Sequence, residues 1–218
     1  MQAAIFDLDG TLVDSMPYWR GHMKTYLKNK GAVAPDNLEE LVNTAGSFSI
    51  ILELVQQIDP SITRDAMIHD YHTLMAQSYL VDIEAKPFVY EYLDFLYKKK
   101  IPMAIATATP RELFMPMLER LGFVQFFEFF ITVPEIGARK SEPDIYDYCA
   151  NRFDLPRSSC VVFEDTIQAI TTAKKAGYYT VGVADRVSAW TEDAIRSVSD
   201  KFIDSYSILL QNDIFIGL

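Results

Sequence analysis

Residues 3–15 read AAIFDLDGTLVDS. An apolar run, residues 3–6, ends on Asp7 and Asp9, one residue apart, and a Gly-Thr turn follows at Gly10 and Thr11. An unbroken apolar run reads as a strand covered on both faces, which is how the strands of a parallel sheet look in sequence. Ligands of open parallel sheets bind beyond the carboxyl ends of the strands. That is where these two carboxylates would lie.

Similar runs recur at residues 103–107, 129–133, 160–164 and 180–183. Between them lie segments of helical period. Leu113, Met117, Leu118 and Leu121 are closed by Gly122; Ile145, Cys149 and Phe153 follow; residues 166–176 are closed by Gly177. Strands alternating with helices predict βαβ units and an α/β fold with a Rossmann-like, doubly wound parallel sheet. Pro116 falls inside one helical pattern and is expected to kink that helix or delay its start.

The alternation breaks once. Residues 7–102 contain no good strand, and a structureless loop of that length inside a compact domain is improbable. Their content is helical. Pro17 suits a first helical turn, Trp19, Met23 and Tyr26 recur at helical spacing, and Gly31 stops the pattern. Asp36 and Glu39 have capping-box spacing before Leu41 and Val42. Ile51, Leu54, Val55 and Ile58 form a third stripe, ended by Pro60, and Met67, Ile68, Tyr71, Leu74 and Met75 a fourth. The expected organisation is a core of residues 1–14 and 85–218 with a four-helix cap, residues 15–84, inserted after the first strand. A helix over residues 87–100 then returns the chain to the sheet.

The 218 residues are 50% hydrophobic and 23% charged, the balance of a folded globular chain. Twenty basic against thirty acidic residues give a net charge of −10, which argues against nucleic acid as a partner. Cys149 and Cys160 lack CxxC spacing and are expected to be buried thiols. No basic leader with a long apolar stretch precedes Asp7, and no apolar run approaches the ~18 residues of a membrane span. A cytoplasmic enzyme without a membrane segment, and a monomer, are the expectations.

The carboxyl ends of the expected strands carry the chemistry. The first delivers Asp7, Asp9 and Thr11; the second Thr107 and Thr109, in ATATP; the third is followed by Lys140, in GARKSEPD; the fourth delivers Glu164 and Asp165, in VVFEDT. Carboxylates gathered in one cleft stay ionised together only around a cation. Hard oxygen ligands at a site open to phosphate suit Mg²⁺. Asp7 would then serve as nucleophile and metal ligand. The turn at Gly10 would let Asp9 swing over as a proton donor while its carbonyl reaches the metal. A carboxylate nucleophile fits phosphoryl transfer through an aspartyl-phosphate. Lys140, Thr107 and nearby backbone amides would steady the transferred group.

DLDGTLVDS, ATATP, ARKSEPDIY and FEDTIQAI resemble, in order, the four motifs of the haloacid dehalogenase superfamily. The insertion after strand one is similar to the branch containing β-phosphoglucomutases and phosphoglycolate phosphatases. The resemblance covers essentially the whole chain. It implies that Asp7 is the nucleophile and Asp9 the general acid/base, that Thr107 hydrogen-bonds the phosphoryl group, and that Lys140 pairs with Asp7 and that group. It implies Mg²⁺ on the Asp7 side chain, the Asp9 carbonyl and Asp165, with Glu164 near the metal. Dehalogenases proper lack the second aspartate and need no metal, so Asp9 speaks against that activity.

The expected activity is hydrolysis of a small phosphorylated metabolite, a sugar phosphate or similar. A phosphosugar mutase is the alternative. β-Phosphoglucomutases carry a cap histidine where Trp19 stands, and a cap arginine that the comparable TAGSFSI, residues 44–50, lacks. A phosphorylatable receiver module is a third reading, but receivers are shorter, lack a cap and take phosphate on a later strand. Other polar residues draw plainer expectations. Thr109 would cap the helix after Pro110. Asp14 would cap the first cap helix or sit in a hinge. His22, His69 and His72 would be solvated, and Tyr18, Trp19, Met23 and Tyr26 would pack the cap core.

Overall fold

The computed structural model describes residues 2–38, 47–137 and 142–212. Six strands are present among them: β1 (Ala3–Phe6), β2 (Met103–Thr107), β3 (Phe129–Thr132), β4 (Cys160–Glu164), β5 (Tyr179–Val183) and β6 (Lys201–Ile203). They form one sheet in the order β3-β2-β1-β4-β5-β6, with every pairing parallel. This is the doubly wound α/β architecture that the sequence predicts. β1, β2 and β4 are buried along their whole length, as unbroken apolar runs require of strands covered on both faces.

The order matters for the site. From β1 the sheet grows one way through β2 and β3 and the other way through β4, β5 and β6. Helices therefore lie on opposite faces to either side of β1, and a crevice opens at its carboxyl end. Register aligns that end: Phe6 pairs with Ile105 on β2 and with Phe163 on β4. Asp7, one residue past Phe6, stands level with Ala106 and Glu164.

The chain forms two compact units, Met1–Ser15 with Glu84–Leu218, and Met16–Ile83. The second unit contains helices Met16–Asn29, Ser47–Gln56 and Arg64–Gln77 and a π-helical turn, Ser78–Asp82. Met23, Tyr26, Leu27, Ile51, Val55, Met67, Tyr71, Met75 and Tyr79 are its buried core. Trp19 stacks on Tyr71 and donates its indole N–H to the Tyr79 hydroxyl at 3.1 Å, and its carbonyl accepts from the Tyr71 hydroxyl. The helix expected around Leu41 and Val42 lies outside the described residues.

Three details depart from the expectations. β6 was not foreseen: it is three residues long with a lysine at its head, and only Ile203 is buried. A strand that short leaves no periodicity to detect. The helix Arg111–Arg120 runs across Pro116 without a break or a late start. The returning helix is Val89–Lys98, shorter at both ends than residues 87–100. Both cysteines are free and buried, as expected.

Gly182 is the tightest point of the β5 side. A Cβ there would lie 2.5 Å from Ile195 Cγ2 and 2.9 Å from Phe202 Cδ2. The absence of a side chain lets helix Glu192–Val198 and β6 close on β5. Gly182→Val is therefore expected to lower stability by about 1–3 kcal/mol through overpacking. Urea denaturation would read this as a lower midpoint at unchanged slope; a midpoint equal to the parent's contradicts the packing account.

Candidate active site

The loop after β1 is built by one carbonyl. Asp7 N–H makes the last bond into the sheet, to the Phe163 carbonyl at 2.9 Å. The Leu8 carbonyl then accepts from the amides of Thr11, Leu12 and Val13 at 3.3, 2.9 and 3.1 Å. Coiling the chain this tightly needs a residue with positive φ. Gly10 supplies it, at φ 81°, and donates to the Val13 carbonyl at 3.0 Å. Leu8 and Leu12 anchor the turn in the core, fully buried. The Thr11 hydroxyl is thereby turned back toward Asp7.

Asp7, Glu164 and Asp165 each offer an oxygen within 4.8 Å of the others, and all three are buried. The Thr11 hydroxyl lies 3.3 Å from Asp7 Oδ2 and 3.4 Å from Asp165 Oδ1. One proton cannot serve both carboxylates at once. Among the described residues, Asp165 Oδ2 is buried and has no hydrogen-bond partner. Burial, then the charges of Asp7 and Glu164, hold the Asp165 carboxyl well above the usual carboxylate range, while Lys86 pulls the other way. Glu164 is better served: Tyr146 donates to Oε1 at 3.1 Å and Thr166 to Oε2 at 3.2 Å. The same negative field, after burial itself, pushes the Tyr146 phenol upward. A buried all-oxygen set with an unsatisfied carboxylate oxygen fits a small divalent cation.

Asp9 is more accessible and is held by both oxygens. Ser15 Oγ donates to Oδ1 at 2.7 Å and Thr109 Oγ1 donates to Oδ2 at 2.6 Å. Thr107, buried at the end of β2, accepts the Thr109 amide on its hydroxyl oxygen at 3.1 Å, which leaves its own proton to donate elsewhere. The expectation that Thr109 caps the following helix is corrected here. That helix begins after Pro110 with no side-chain cap. The Thr109 hydroxyl instead donates to the Asp9 carboxylate, a charge-assisted bond.

Asp14 caps nothing either. Its Oδ2 pairs with Arg186 Nη2 at 2.7 Å. Lys140 lies outside the described residues. The described lysine whose charge reaches Asp165 is Lys86, which sequence reading did not single out. Its Nζ is 3.1 Å from Asp185 Oδ2 and donates to the Ala184 carbonyl at 2.7 Å. Ser15 was also missed, having been assigned to the inserted segment. A hydroxyl one residue before a helix gives no sign that it faces backward. His22 is not simply solvated: it is hydrogen-bonded to Ser78 Oγ at 3.0 Å, and burial lowers its pKa.

Among the described residues no helix is long and apolar enough to cross a membrane. A phosphorylated carbohydrates phosphatase of Thermotoga maritima is 27% identical over 180 residues, 81% of this chain and 82% of that protein. A phosphoglycolate phosphatase of Colwellia psychrerythraea is 29% identical over 196 residues, 84% of each. The fold matches the crystal structure of a HAD hydrolase, family IA, variant 3, from Entamoeba histolytica with a TM-score of 0.80 over 95% of both chains, at 22% identity. The sequence profile of the haloacid dehalogenase-like hydrolases matches residues 4–183, which include the β1 turn, Thr107, Glu164 and Asp165. On that match, the chain belongs to the haloacid dehalogenase-like hydrolase family.

Proposed function

We propose that this protein is a Mg²⁺-dependent phosphatase that hydrolyses a small phosphorylated metabolite, a sugar phosphate or similar, through an aspartyl-phosphate on Asp7. The observation that carries the reading is the buried Asp7–Glu164–Asp165 cluster beside an aspartate, Asp9, fixed by two hydroxyl donors. The relatives named for phosphorylated carbohydrates and phosphoglycolate support the substrate class. In this reading residues 1–14 and 85–218 form the catalytic core and residues 15–84 a cap that selects the substrate.

An Asp7 carboxylate oxygen attacks phosphorus, and the bond from phosphorus to the ester oxygen breaks. Asp9 gives its proton to the departing alkoxide. The same carboxylate then takes a proton from water as the water attacks phosphorus, releasing inorganic phosphate and the Asp7 carboxylate. The Thr107 hydroxyl and Lys140 hold the transferred group. Asp7, Asp165 and the Asp9 carbonyl would hold Mg²⁺, with Glu164 beside it; the bound ion supplies positive charge against the transferred phosphoryl oxygens. Ser15 and Thr109 keep Asp9 within reach of both proton transfers.

Assayed with Mg²⁺ on a panel of phosphomonoesters, the parent protein should release phosphate and Asp7→Asn should not. Asp9→Asn should retain a residual rate lower by about 10²–10⁴-fold. Parent release no greater than that of Asp7→Asn on every substrate contradicts the proposal. The cluster also sets a pH dependence. Because the folded-state pKa of Asp165 is raised, the folded protein binds the proton more tightly than the unfolded chain above the ordinary carboxylate pKa. With a chelator present, that stability is complete at acid pH and is lost as pH rises through the raised value. Mg²⁺ competes with the same proton. It should therefore raise the thermal midpoint more at pH 7.5 than at pH 5; equal shifts at both would count against a metal among these carboxylates.

A further inference from the structure

The chain leaves the first unit after Ser15 and re-enters at Glu84. The two passing segments form a short antiparallel ribbon. Val13 bridges Ala85, Asp14 N–H donates to the Glu84 carbonyl at 2.9 Å, and Lys86 N–H donates to the Leu12 carbonyl at 2.9 Å. A ribbon this short is not stable alone. Each of its strands carries one charge that reaches the same loop, the one after β5. Asp14 pairs with Arg186, and Lys86 pairs with Asp185 and donates to the Ala184 carbonyl.

The two pairs are unequal. Arg186 is 72% exposed, whereas Lys86 is 11% exposed and Asp185 fully buried. An exposed pair contributes little; a buried one imposes its geometry, because separating it strands a charge out of water. The loop that receives them is itself fixed. Asp185 Oδ1 accepts the Val187 amide at 2.9 Å, and Ala184 N–H donates to the Ile203 carbonyl of β6 at 2.9 Å. The ribbon in turn ends on Ser15, whose hydroxyl fixes Asp9 Oδ1.

We propose that Lys86 and Asp185, with Asp14 and Arg186 as the weaker pair, are positioning residues that clasp this ribbon to the β5 loop and thereby aim Asp9 for proton transfer to the leaving group. The proposal rests on the phosphatase reading and adds residues outside the reacting set. None of the four is among the residues read above as holding the transferred group or the metal. Their effect passes from the β5 loop through the ribbon and Ser15 to the Asp9 carboxylate.

The test exploits leaving-group chemistry. A p-nitrophenolate departs without a proton, whereas an alkoxide needs one, so misplacing a general acid penalises alkyl phosphates selectively. kcat/KM is measured with Mg²⁺ for p-nitrophenyl phosphate and for the best alkyl phosphate of the panel. Lys86→Met combined with Asp185→Leu replaces the buried pair by apolar groups and spares the fold an orphan charge. It should lose about tenfold or more on the alkyl substrate and less than threefold on the aryl one, at a thermal midpoint lowered by loss of the Asp185–Val187 cap. Lys86→Arg should restore the parent's ratio. Arg186→Met alters an exposed side chain and should shift the ratio about two- to threefold in the same direction, even where the double variant does not fold. Equal losses on both substrates, or an unchanged ratio in Arg186→Met and in any folded double variant, overturn the clasp and leave the phosphatase reading standing. No release from either substrate by the parent overturns both.

Discussion

Mutual repulsion among Asp7, Glu164 and Asp165 is the constraint around which the active end of the sheet is built. Three buried carboxylates whose oxygens lie within 4.8 Å of one another cannot all be charged without compensation. The protein's own donors compensate unevenly. Tyr146 and Thr166 donate to Glu164, the Thr11 hydroxyl lies between Asp7 and Asp165, and among the described residues Asp165 Oδ2 receives nothing. Among the described residues the deficit falls on Asp165. The cluster is compatible with a metal site, and in the proposed reading a bound cation would set positive charge beside the Asp7 carboxylate.

The sheet holds this unfavourable arrangement together. Register fixes β1 between β2 and β4 through fully buried strands, so Asp7 and Glu164 cannot relax apart without disturbing the pairing of Phe6 with Phe163. Stacking of those two rings, with centroids 4.4 Å apart, stiffens the same point from below. The Leu8 carbonyl coils the β1 loop so that Thr11 faces the cluster while Asp9 points away to Ser15 and Thr109. One short loop thus gives two aspartates opposite environments, one dry and crowded, the other accessible and doubly hydrogen-bonded.

Much of this was legible in the sequence because the relevant signals are local. Residues 3–6, 103–106 and 160–163 are apolar throughout, and burial on both faces demands that. The carboxylates and Thr107 sit within three residues of those runs, so finding the strands also found the rim. The less legible features are tertiary. Thr109 has the spacing of a helix cap, and only the fold brings Asp9 within 2.6 Å to accept its hydroxyl proton. Asp14 looked like a cap because a helix follows, yet its partner Arg186 lies across the fold after β5. The Lys86–Asp185 pair has no signature at all, since a lysine before a proline and an aspartate after a strand are ordinary alone. β6 escaped because three residues carry no period.

A crystal grown with Mg²⁺ and beryllium fluoride tests the central claim most directly, because beryllofluoride forms a stable mimic of a phosphoryl group on a nucleophilic carboxylate. The account predicts beryllium bonded to an Asp7 oxygen and one Mg²⁺ bridging Asp7 and Asp165. Density for neither ion, with Asp7 unmodified and the Asp165 carboxylate turned away from it, would contradict the account.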